Sequence, residues 1–308
     1  MSNALPLGPG AEFDAIRSML ERWGPRASGV GDDAAVLGLP RGESLVASVD
    51  TAVENRHFVR GWLTTRELAR RAVVAALSDL AAMAATPAGV LISLIVPDAW
   101  RDELLGLADG VGDAVRDAGT YIIGGNISAG DELSITTTVL GHVYVPLARS
   151  GAHVGDRLYV TGRLGGPADA LFRLRDGRDA GPHRDRFARP VARIAEARWL
   201  AERGASAAID ISDGLAADAR HVAAASGVRL VLDSPDIPCV SDVPAELALA
   251  SGEEYELLVA SPVALDAAEF EARFGIPLTP IGIVEHGSDV VVRGARVAAP
   301  SGHDHFSR

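Results

Sequence analysis

Five aspartates lie within or at the ends of segments that are otherwise apolar, and this pattern limits how the chain can fold. Charged side chains are rarely buried unless they are paired or bind a metal ion. For Asp79, in the middle of an alanine-rich segment, the residues three and four positions away along a helix carry no charge. A partner for the Asp79 carboxylate must therefore come from another part of the fold. The other four aspartates are Asp33, Asp50, Asp210 and Asp213.

Carboxylates that gather in one place need a compensating charge. Two of them about 4 Å apart repel each other by roughly 4 kcal/mol at an effective dielectric constant of about 20, so the group requires a divalent cation or a shared proton. Oxygen ligands favour Mg²⁺, which proteins usually hold with a few carboxylates and the phosphates of a substrate. The pattern therefore predicts a magnesium site that binds nucleotide phosphates.

Two of these aspartates also have ordinary structural explanations. Asp213 precedes Gly214 at a predicted strand-to-helix turn, where an N-cap is a more frequent role than a metal ligand. Asp50 on its own can simply end a strand. These alternatives apply to each residue taken alone, and the residues by themselves leave them open.

The composition excludes several classes of function. The 308 residues include 41 acidic and 29 basic side chains, and the net charge of −12 is unfavourable for binding a nucleic-acid backbone or an anionic membrane. A single cysteine, Cys239, rules out an intrachain disulfide and a cysteine-based zinc cluster. The sequence shows no secretory signal pattern and no apolar run long enough to span a bilayer. We therefore expect a cytoplasmic protein that contacts neither nucleic acid nor membrane.

Predicted strands and helices alternate along the first half of the chain. Thr64 and Glu67 have the spacing of a capping box, so we predict a helix that begins there and continues to Thr86, before Pro87. β-Branched and apolar residues crowd the segment 44–53, which predicts a strand. The other predicted elements are helices at 11–23 and 100–118 and strands at 90–96, 121–123 and 133–145.

A second set of elements follows a break near residues 146–155. The stretch 173–190 is rich in Arg, Asp, Gly and Pro, which predicts a solvated connection. The alternating pattern indicates an α/β or α+β fold with two domains, residues 1–146 and 147–308. The predicted elements of the second half are strands at 157–161, 207–211, 228–232 and 255–260 and a helix at 214–225.

Common nucleotide-binding and catalytic motifs contribute little. Gly29, Gly31 and Ala34 match the dinucleotide-binding pattern G-x-G-x-x-A, but Asp32 and Asp33 stand where a pyrophosphate would bind. The phosphate-binding loop G-x-x-x-x-G-K-[ST], the zinc motif H-E-x-x-H and the nucleophile elbow G-x-S-x-G are absent from the sequence. The chemistry therefore rests on the scattered aspartates.

Four further positions have both a functional and a structural explanation. Gly124 and Gly125 follow a predicted strand, where a backbone without side chains can approach a ligand or simply turn. Arg149 is either a phosphate clamp or a surface residue. His57 is either a substrate contact or a packing histidine.

Eight short blocks are spread in order over nearly the whole chain. They are GVGDDAAVL (29–37), VASVDTAVENRHF (46–58), LSDLAAMAATP (77–87), IIGGN (122–126), ARSGAHVGDRLYVTGRLG (148–165), AIDISDGLAAD (208–218), SGEEYELL (251–258) and GHDHF (302–306). Together they resemble the thiamine-monophosphate kinase family, which belongs to the superfamily of aminoimidazole ribonucleotide synthetase and selenophosphate synthetase. Eight blocks in the right order are far more specific than any single one.

The resemblance implies a fold and a reaction. An N-terminal α/β domain with a metal and ATP-phosphate site pairs its sheet with that of a second subunit, and a C-terminal α/β domain closes over nucleotide and substrate. The implied reaction passes the γ-phosphoryl group of ATP to the phosphate of thiamine monophosphate, with several Mg²⁺ ions neutralising charge. ATP, Mg²⁺, thiamine monophosphate and a second copy of the chain are therefore the implied cofactors and partners.

The resemblance also assigns roles to individual residues. Asp33, Asp50, Asp79 and Asp213 are the implied catalytic residues. The substrate contacts are His57 and Glu253. The implied metal ligands are Asp33, Ser48, Asp50, Asp79, Asp210 and Asp213, and the implied cofactor contacts are Gly125, Asn126, Arg149 and Ser212.

Three departures from the family pattern keep other functions open. Asn126 stands where the family has a metal-binding aspartate, Val49 stands where it has a hydroxyl residue, and Pro300 stands where an aromatic packs on the substrate. One alternative is a paralogue of the same superfamily that acts on another phosphorylated or amide substrate. The other is a catalytically silent homologue that binds nucleotide without turnover. Selenophosphate synthetase is disfavoured because no cysteine lies near the N-terminus.

Overall fold

A computed structural model describes residues 11–28 and 37–294. Asp33 and Pro300, together with the blocks at 29–37 and 302–306 except for residue 37, lie outside the described residues. The chain forms two compact units. The N-terminal unit contains the described residues up to 80 and residues 85–145, and the C-terminal unit contains residues 81–84 and the described residues from 146 onward.

The N-terminal unit is a four-stranded sheet with helices. The strands run in the order β1-β4-β2-β3, with β2 and β3 parallel and the other two pairs antiparallel. This mixed arrangement confirms the predicted α/β class. The elements are α1 (Ala11–Trp23), β1 (Ser44–Val53), α2 (Thr65–Ala82), β2 (Thr86–Val96), α3 (Leu104–Asp117), β3 (Ile122–Ala129) and β4 (Ser134–Val143).

The predicted capping box opens α2, but this helix ends earlier than expected. The backbone N–H of Thr64 donates to the Glu67 carboxylate at 3.1 Å, and the Glu67 N–H donates to the Thr64 hydroxyl at 3.2 Å. At the other end, Ala84 has a left-handed φ of 53° and the N–H of Ala85 donates to the Leu80 carbonyl at 2.9 Å, which is the pattern that closes a helix. The prediction that the helix reaches Thr86 was therefore wrong, and Thr86 already begins β2.

The two faces of the N-terminal sheet differ. Along β4, Ile135, Thr137 and Val139 are buried, and their cross-strand partners on β1 include Asp50 and Ser48. Residues paired on neighbouring strands project to the same face, and a hydrogen bond between Ser48 and a residue of α2 places this helix on that face. The other face carries large apolar side chains that are partly exposed, among them Leu45, Val49 and Ile95.

Strand and helix bounds differ from the predictions in other places as well. The helix predicted at 100–118 is a 3₁₀ turn, Asp98–Glu103, followed by α3. The strand predicted at 121–123 extends as β3 to Ala129, because pairing with β2 continues through residues 124–129. Gly124, Gly125 and Asn126 therefore lie within a strand.

The C-terminal unit is a six-stranded sheet of order β10-β7-β9-β5-β8-β6, in which only the described pair β10 and β7 is parallel. Both faces are buried, since Leu158 and Val160 of one strand join one apolar cluster and Tyr159 joins another. The elements are β5 (Arg157–Thr161), α4 (Gly166–Arg175), α5 (Arg184–Ala188), α6 (Ile194–Glu202), β6 (Ala207–Asp210), α7 (Leu215–Ser226), β7 (Arg229–Asp233), α8 (Ala245–Ala250), β8 (Leu257–Ser261), α9 (Ala267–Phe274), β9 (Leu278–Glu285) and β10 (Val290–Arg293).

The stretch 173–190 is not the solvated connection that its composition predicted. It contains the end of α4 and all of α5, and the side chain of Phe187 is only 1% exposed. In α5, Phe187 and Ala188 are both buried, while the flanking Asp185 and Arg189 are exposed. Among the described residues, none of the helices has the length and apolar character needed to cross a bilayer.

Candidate functional site

In the N-terminal unit, the Asp79 carboxylate meets a side chain from the sheet, as its apolar helical neighbours required. The Ser48 hydroxyl donates to Asp79 Oδ2 at 2.5 Å. Asp50 lies two residues further along β1 with unbroken register, so it projects to the same face as Ser48. The structure therefore brings three of the predicted metal ligands to one face of the sheet.

Thr137 adds a fourth oxygen-bearing side chain to this face. It is the cross-strand partner of Asp50, its side chain is fully buried, and its hydroxyl has no hydrogen-bond partner among the described residues. A buried hydroxyl without a partner is costly, and here it stands beside a carboxylate. The side chains of Ser48, Asp50, Asp79 and Thr137 supply only oxygen donors, which is the donor set that Mg²⁺ prefers. These residues therefore fit a magnesium ion.

Gly125 and Asn126 lie on opposite faces of the same sheet. Gly125 pairs with Ile92, which pairs with Thr137, so Gly125 belongs to the same row as Asp50. A Cβ atom at Gly125 would lie 2.1 Å from the Ile92 carbonyl oxygen, so close packing of the two strands requires glycine.

Asn126 pairs with Ser93 and donates from its amide to the Ser128 hydroxyl at 3.1 Å. The register places Asn126 on the face away from Ser48 and Asp50, and the structure does not bring it together with them. Its role at the cofactor site remains a prediction.

His57 is tied to the end of β1. Its Nδ1 accepts a hydrogen bond from the Val53 N–H at 3.0 Å, and its own backbone N–H donates to the Val53 carbonyl at 2.9 Å. Because Nδ1 is the acceptor, the proton of the neutral ring is on Nε2. The turn therefore fixes the ring seven residues beyond Asp50 and makes Nε2 the donor.

In the C-terminal unit, the segment between β6 and α7 carries three of the predicted residues. Asp210 is the last residue of β6 and is only 4% exposed, whereas Ser212 and Asp213 are half-buried. Gly214, which follows, has a φ of +116°, and a Cβ atom there would lie 3.0 Å from the backbone of Ala250. Only glycine fits this turn, which ends at Gly214 immediately before the first residue of α7, so Asp213 lies two residues before the helix.

Asp218 organises this turn, and we did not assign it a role from the sequence. Its Oδ2 accepts hydrogen bonds from the backbone N–H groups of Ser212, Asp213 and Gly214, each at 3.1 Å. Burial, together with the negative charges of Asp210 and Asp213, raises the pKa of Asp218 to about 7.

The sequence held one signal for Asp218, since it is the last residue of the block AIDISDGLAAD. Alone it is typical of a solvated acidic residue in the first turn of a helix. Ligand atoms of Asp213, Asp218 and His221 lie within 4.8 Å of one another, and Asp218 Oδ2 already accepts three backbone hydrogen bonds.

Glu253 lies beside the same turn. Its backbone N–H donates to the Ser212 carbonyl at 2.7 Å, and a Cβ atom at Gly252 would lie 2.6 Å from that carbonyl oxygen. Glu253 and Tyr255 both have left-handed φ values, 60° and 53°, which cost free energy for residues other than glycine. Such strain is concentrated at functional sites, and here it accompanies the placement of the predicted substrate residue Glu253 next to Ser212 and Asp213.

Two buried glutamates, Glu254 and Glu256, anchor the residues that follow Glu253. Glu256 is almost completely buried and receives two hydrogen bonds from Arg193, from Nε at 2.8 Å and from Nη2 at 2.5 Å. Glu254 accepts from the Ser251 hydroxyl and from the Gly165 N–H, both at 2.5 Å. Burial raises the pKa of Glu254 to about 8, despite these two hydrogen bonds.

The raised pKa of Glu254 predicts a stability change with pH. The folded protein keeps a proton on Glu254 between its ordinary pKa of 4.5 and about 8, whereas the unfolded chain releases it. Stability from this group is therefore present at low pH and falls as the pH rises through this window. In Glu254→Gln, which keeps the acceptor oxygen but cannot ionise, we expect Tm to fall less than in the wild type between pH 5.5 and 8.5, by roughly 5 °C or more. Parallel Tm curves for the two proteins would contradict the buried, protonated state.

Arg149 lies far from the turn that carries Ser212. The Ser226 hydroxyl, at the last residue of α7, donates to the Arg149 carbonyl at 2.7 Å, whereas Ser212 precedes the first residue of that helix. A helix of this length spans about 18 Å. The structure does not bring the two backbones together, and Arg149 is exposed, so its contact with ATP remains a prediction.

Family models and curated relatives both match the chain. Residues 31–143 match the family described as AIR synthase related protein, N-terminal domain, and residues 153–295 match its C-terminal domain. The thiamine-monophosphate kinase of Salmonella typhimurium is 35% identical over 306 residues, covering 91% of this chain and 92% of the relative. That of Bacillus subtilis is 31% identical over 324 residues, covering 96% of this chain and 99% of the relative.

Solved structures agree with these relatives. The thiamine-monophosphate kinase from Stenotrophomonas maltophilia K279a has a TM-score of 0.82 and 31% identity, covering 94% of this chain and 98% of its own. The structure of AaThiL complexed with AMPPCP and TMP has a TM-score of 0.77 and 30% identity, covering 96% of each chain. These matches confirm the resemblance found in the eight sequence blocks. The chain belongs to the thiamine-monophosphate kinase family.

Proposed function

We propose that this protein transfers the γ-phosphoryl group of ATP to the phosphate of thiamine monophosphate in the presence of Mg²⁺, which yields ADP and thiamine diphosphate. The observation that carries the proposal is the match of more than nine-tenths of the chain to thiamine-monophosphate kinases. The side-chain oxygens of Ser48 and Asp79 and the carboxylates of Asp210 and Asp213 support the proposal, because such groups are suited to hold Mg²⁺. The relative complexed with AMPPCP and TMP supports the same pair of substrates.

In the N-terminal unit, Ser48, Asp50 and Asp79 would hold magnesium, and we assign Asp33 to the same role from its position in the family pattern. Bound Mg²⁺ supplies neutralisation of charge on the transferring phosphoryl group. The hydrogen bond from Ser48 fixes the orientation of the Asp79 carboxylate before any ligand arrives. Gly125 leaves the backbone of β3 open on the same row as Asp50, and we assign Gly125, Asn126 and Arg149 to ATP.

In the C-terminal unit, Asp210 and Asp213 would hold further magnesium, and the half-buried Ser212 would contact ATP. Glu253, held beside Ser212, presents a carboxylate suited to the positively charged thiazolium ring of the substrate. His57, in the N-terminal unit, has its proton on Nε2, and this N–H can donate a hydrogen bond to a phosphate oxygen.

The reaction itself needs no side-chain nucleophile. An oxygen of the substrate phosphate is already anionic and forms the new bond to the γ-phosphorus as the bond from that phosphorus to the bridging oxygen of ADP breaks. The protein therefore acts by positioning the two phosphates and by neutralising their charge.

We also infer a homodimer and a cytoplasmic location. The exposed face of the N-terminal sheet carries Leu45, Val49 and Ile95, which are 52%, 60% and 42% exposed, and apolar side chains grouped on one face favour association. Pairing of this face with that of a second copy would cover them. The single, half-buried Cys239 fits a reducing compartment.

A coupled assay of ADP release tests the function. We expect ADP to form only when ATP, Mg²⁺ and thiamine monophosphate are all present, and to stop when EDTA removes the metal. ADP release that is indifferent to thiamine monophosphate would indicate another substrate within the superfamily. Nucleotide binding without any ADP release would indicate the catalytically silent alternative, and either result would overturn the proposal.

A further inference from the structure

We propose that Asp218 is a positioning residue whose carboxylate holds the turn 212–214 in the shape that presents Asp213 and the Glu253 segment to the ligands. This inference rests on the proposed function, because it assigns Asp213 and Glu253 to metal and substrate. The role itself follows from contacts within the C-terminal unit.

Three backbone N–H groups converge on one oxygen of this side chain. Ser212, Asp213 and Gly214 each donate to Asp218 Oδ2 at 3.1 Å, and Asp218 is only 2% exposed. Three consecutive N–H groups that point at one atom define the backbone conformation of the whole turn. All three donors belong to the protein itself, so the turn keeps this conformation in the absence of ligand.

The conformation of this turn determines the positions of two functional segments. Asp213 is itself one of the three donors, so its Cα position depends on the Asp218 carboxylate. The Ser212 carbonyl accepts from the Glu253 N–H at 2.7 Å, so the strained Glu253 segment is attached to the same turn. Loss of the Asp218 acceptor therefore releases both segments, although Asp218 need not contact a ligand.

A comparison of two substitutions separates positioning from direct binding. Asp218→Asn keeps an acceptor oxygen of the same shape, whereas Asp218→Ala removes it. We expect Asp218→Ala to weaken binding of Mg²⁺ with a non-hydrolysable ATP analogue by about 10–100-fold, the usual effect of losing a residue that orients a metal ligand. Asp218→Asn should remain within about threefold of the wild type.

Asp156 provides a matched control in the same unit. It is also 2% exposed, and its Oδ2 accepts from the His153 N–H at 3.0 Å and from the Ser206 hydroxyl at 2.6 Å. Asp156→Ala should lower Tm, as loss of any buried hydrogen-bonded carboxylate does, and leave the affinity for Mg²⁺ and nucleotide unchanged.

Amide hydrogen exchange tests the role independently of any ligand. In Asp218→Ala the amides of residues 212–214 should exchange faster by at least about tenfold, which corresponds to a loss of about 1.4 kcal/mol, and Asp218→Asn and Asp156→Ala should keep them protected. Unchanged exchange in Asp218→Ala would overturn the proposal. Equal loss of nucleotide affinity in Asp218→Asn and Asp218→Ala would also overturn it, because the charge would then act on the ligand directly. A wild type that binds nucleotide but ignores thiamine monophosphate would refute only the proposed substrate.

Discussion

Replacement of Asp79 with asparagine is expected to lower the Mg²⁺-dependent kcat by at least about 100-fold while the protein remains folded. Removal of a residue that merely orients a metal ligand typically costs 10–100-fold, so loss of a ligand itself should cost at least the upper value. The Asp79 carboxylate is half-buried on α2 and already receives the Ser48 hydroxyl at 2.5 Å, so an amide of the same shape fits. What the substitution removes is the charge. The rate of ADP release at saturating ATP, with Tm measured in parallel, checks the prediction.

The control for Asp79 is an aspartate of the same unit that has an ordinary surface role. Asp117, the last residue of α3, is half-exposed and pairs with Arg70 and Arg116. Asp117→Asn should leave kcat and the Mg²⁺ requirement unchanged, since exposed ion pairs contribute little. Wild-type turnover in Asp79→Asn, at the same Mg²⁺ concentration, would remove Asp79 from the site.

Arg193→Met is expected to destabilise the protein by about 3–5 kcal/mol, because it leaves a buried carboxylate without its main cation. Arg193 and Glu256 are 12% and 1% exposed, and the Thr161 hydroxyl also donates to Glu256 at 2.7 Å. Burial acts to lower the pKa of the Arg193 guanidinium, but attraction to Glu256 and Glu196 outweighs this, and the pKa is raised. The free energy of unfolding in urea, compared with that of the wild type, gives the loss directly.

An exposed ion pair of the same unit serves as the control for Arg193. Arg293 donates to Glu285 at 2.6 Å, and the two side chains are 52% and 40% exposed. Arg293→Met should cost no more than about 1 kcal/mol, because water already screens this pair. Equal losses for Arg193→Met and Arg293→Met would show that the Glu256 carboxylate is not held as the structure indicates.

The sequence predicted those parts of the fold in which a local pattern and the tertiary structure agree. The capping box of Thr64 and Glu67 started α2 where expected, and β1 has the predicted bounds, 44–53. The prediction failed where distant contacts decide. Thr86 and Pro87 pair with His142 and Gly141 of β4. The residues at which the helical pattern was expected to end therefore belong to a strand. Nothing in the local composition indicates such a partner.

The sequence predicted which residue types form the candidate site, but only part of their arrangement in space. The absence of a charged helical neighbour indicated that Asp79 needs a partner from elsewhere, and the structure supplies Ser48. The sequence position of Asn126 did not show that this side chain faces away from Asp50. The pairing of β2 with β3 decides the face, and its register shifts between Val90 and Leu91. A one-residue change of register moves a side chain to the other face of a sheet.

The importance of Asp218 was hidden for a related reason. Its three hydrogen bonds come from backbone N–H groups, and a sequence carries no signal for backbone donors four to six residues away. Only the turn conformation that Gly214 permits brings those groups to one oxygen. The residues that orient a site are therefore harder to find from sequence than the residues that bind.

The most direct test of the account is a crystal structure of the protein soaked with Mn²⁺ and a non-hydrolysable ATP analogue, with anomalous diffraction used to locate the metal. We expect anomalous density at bonding distance, about 2 Å as for Mg²⁺ and oxygen, from carboxylate oxygens of Asp79 in the N-terminal unit and of Asp213 in the C-terminal unit. Nucleotide bound with no metal density at either carboxylate would contradict the claim that these aspartates hold the ions of a phosphoryl-transfer site.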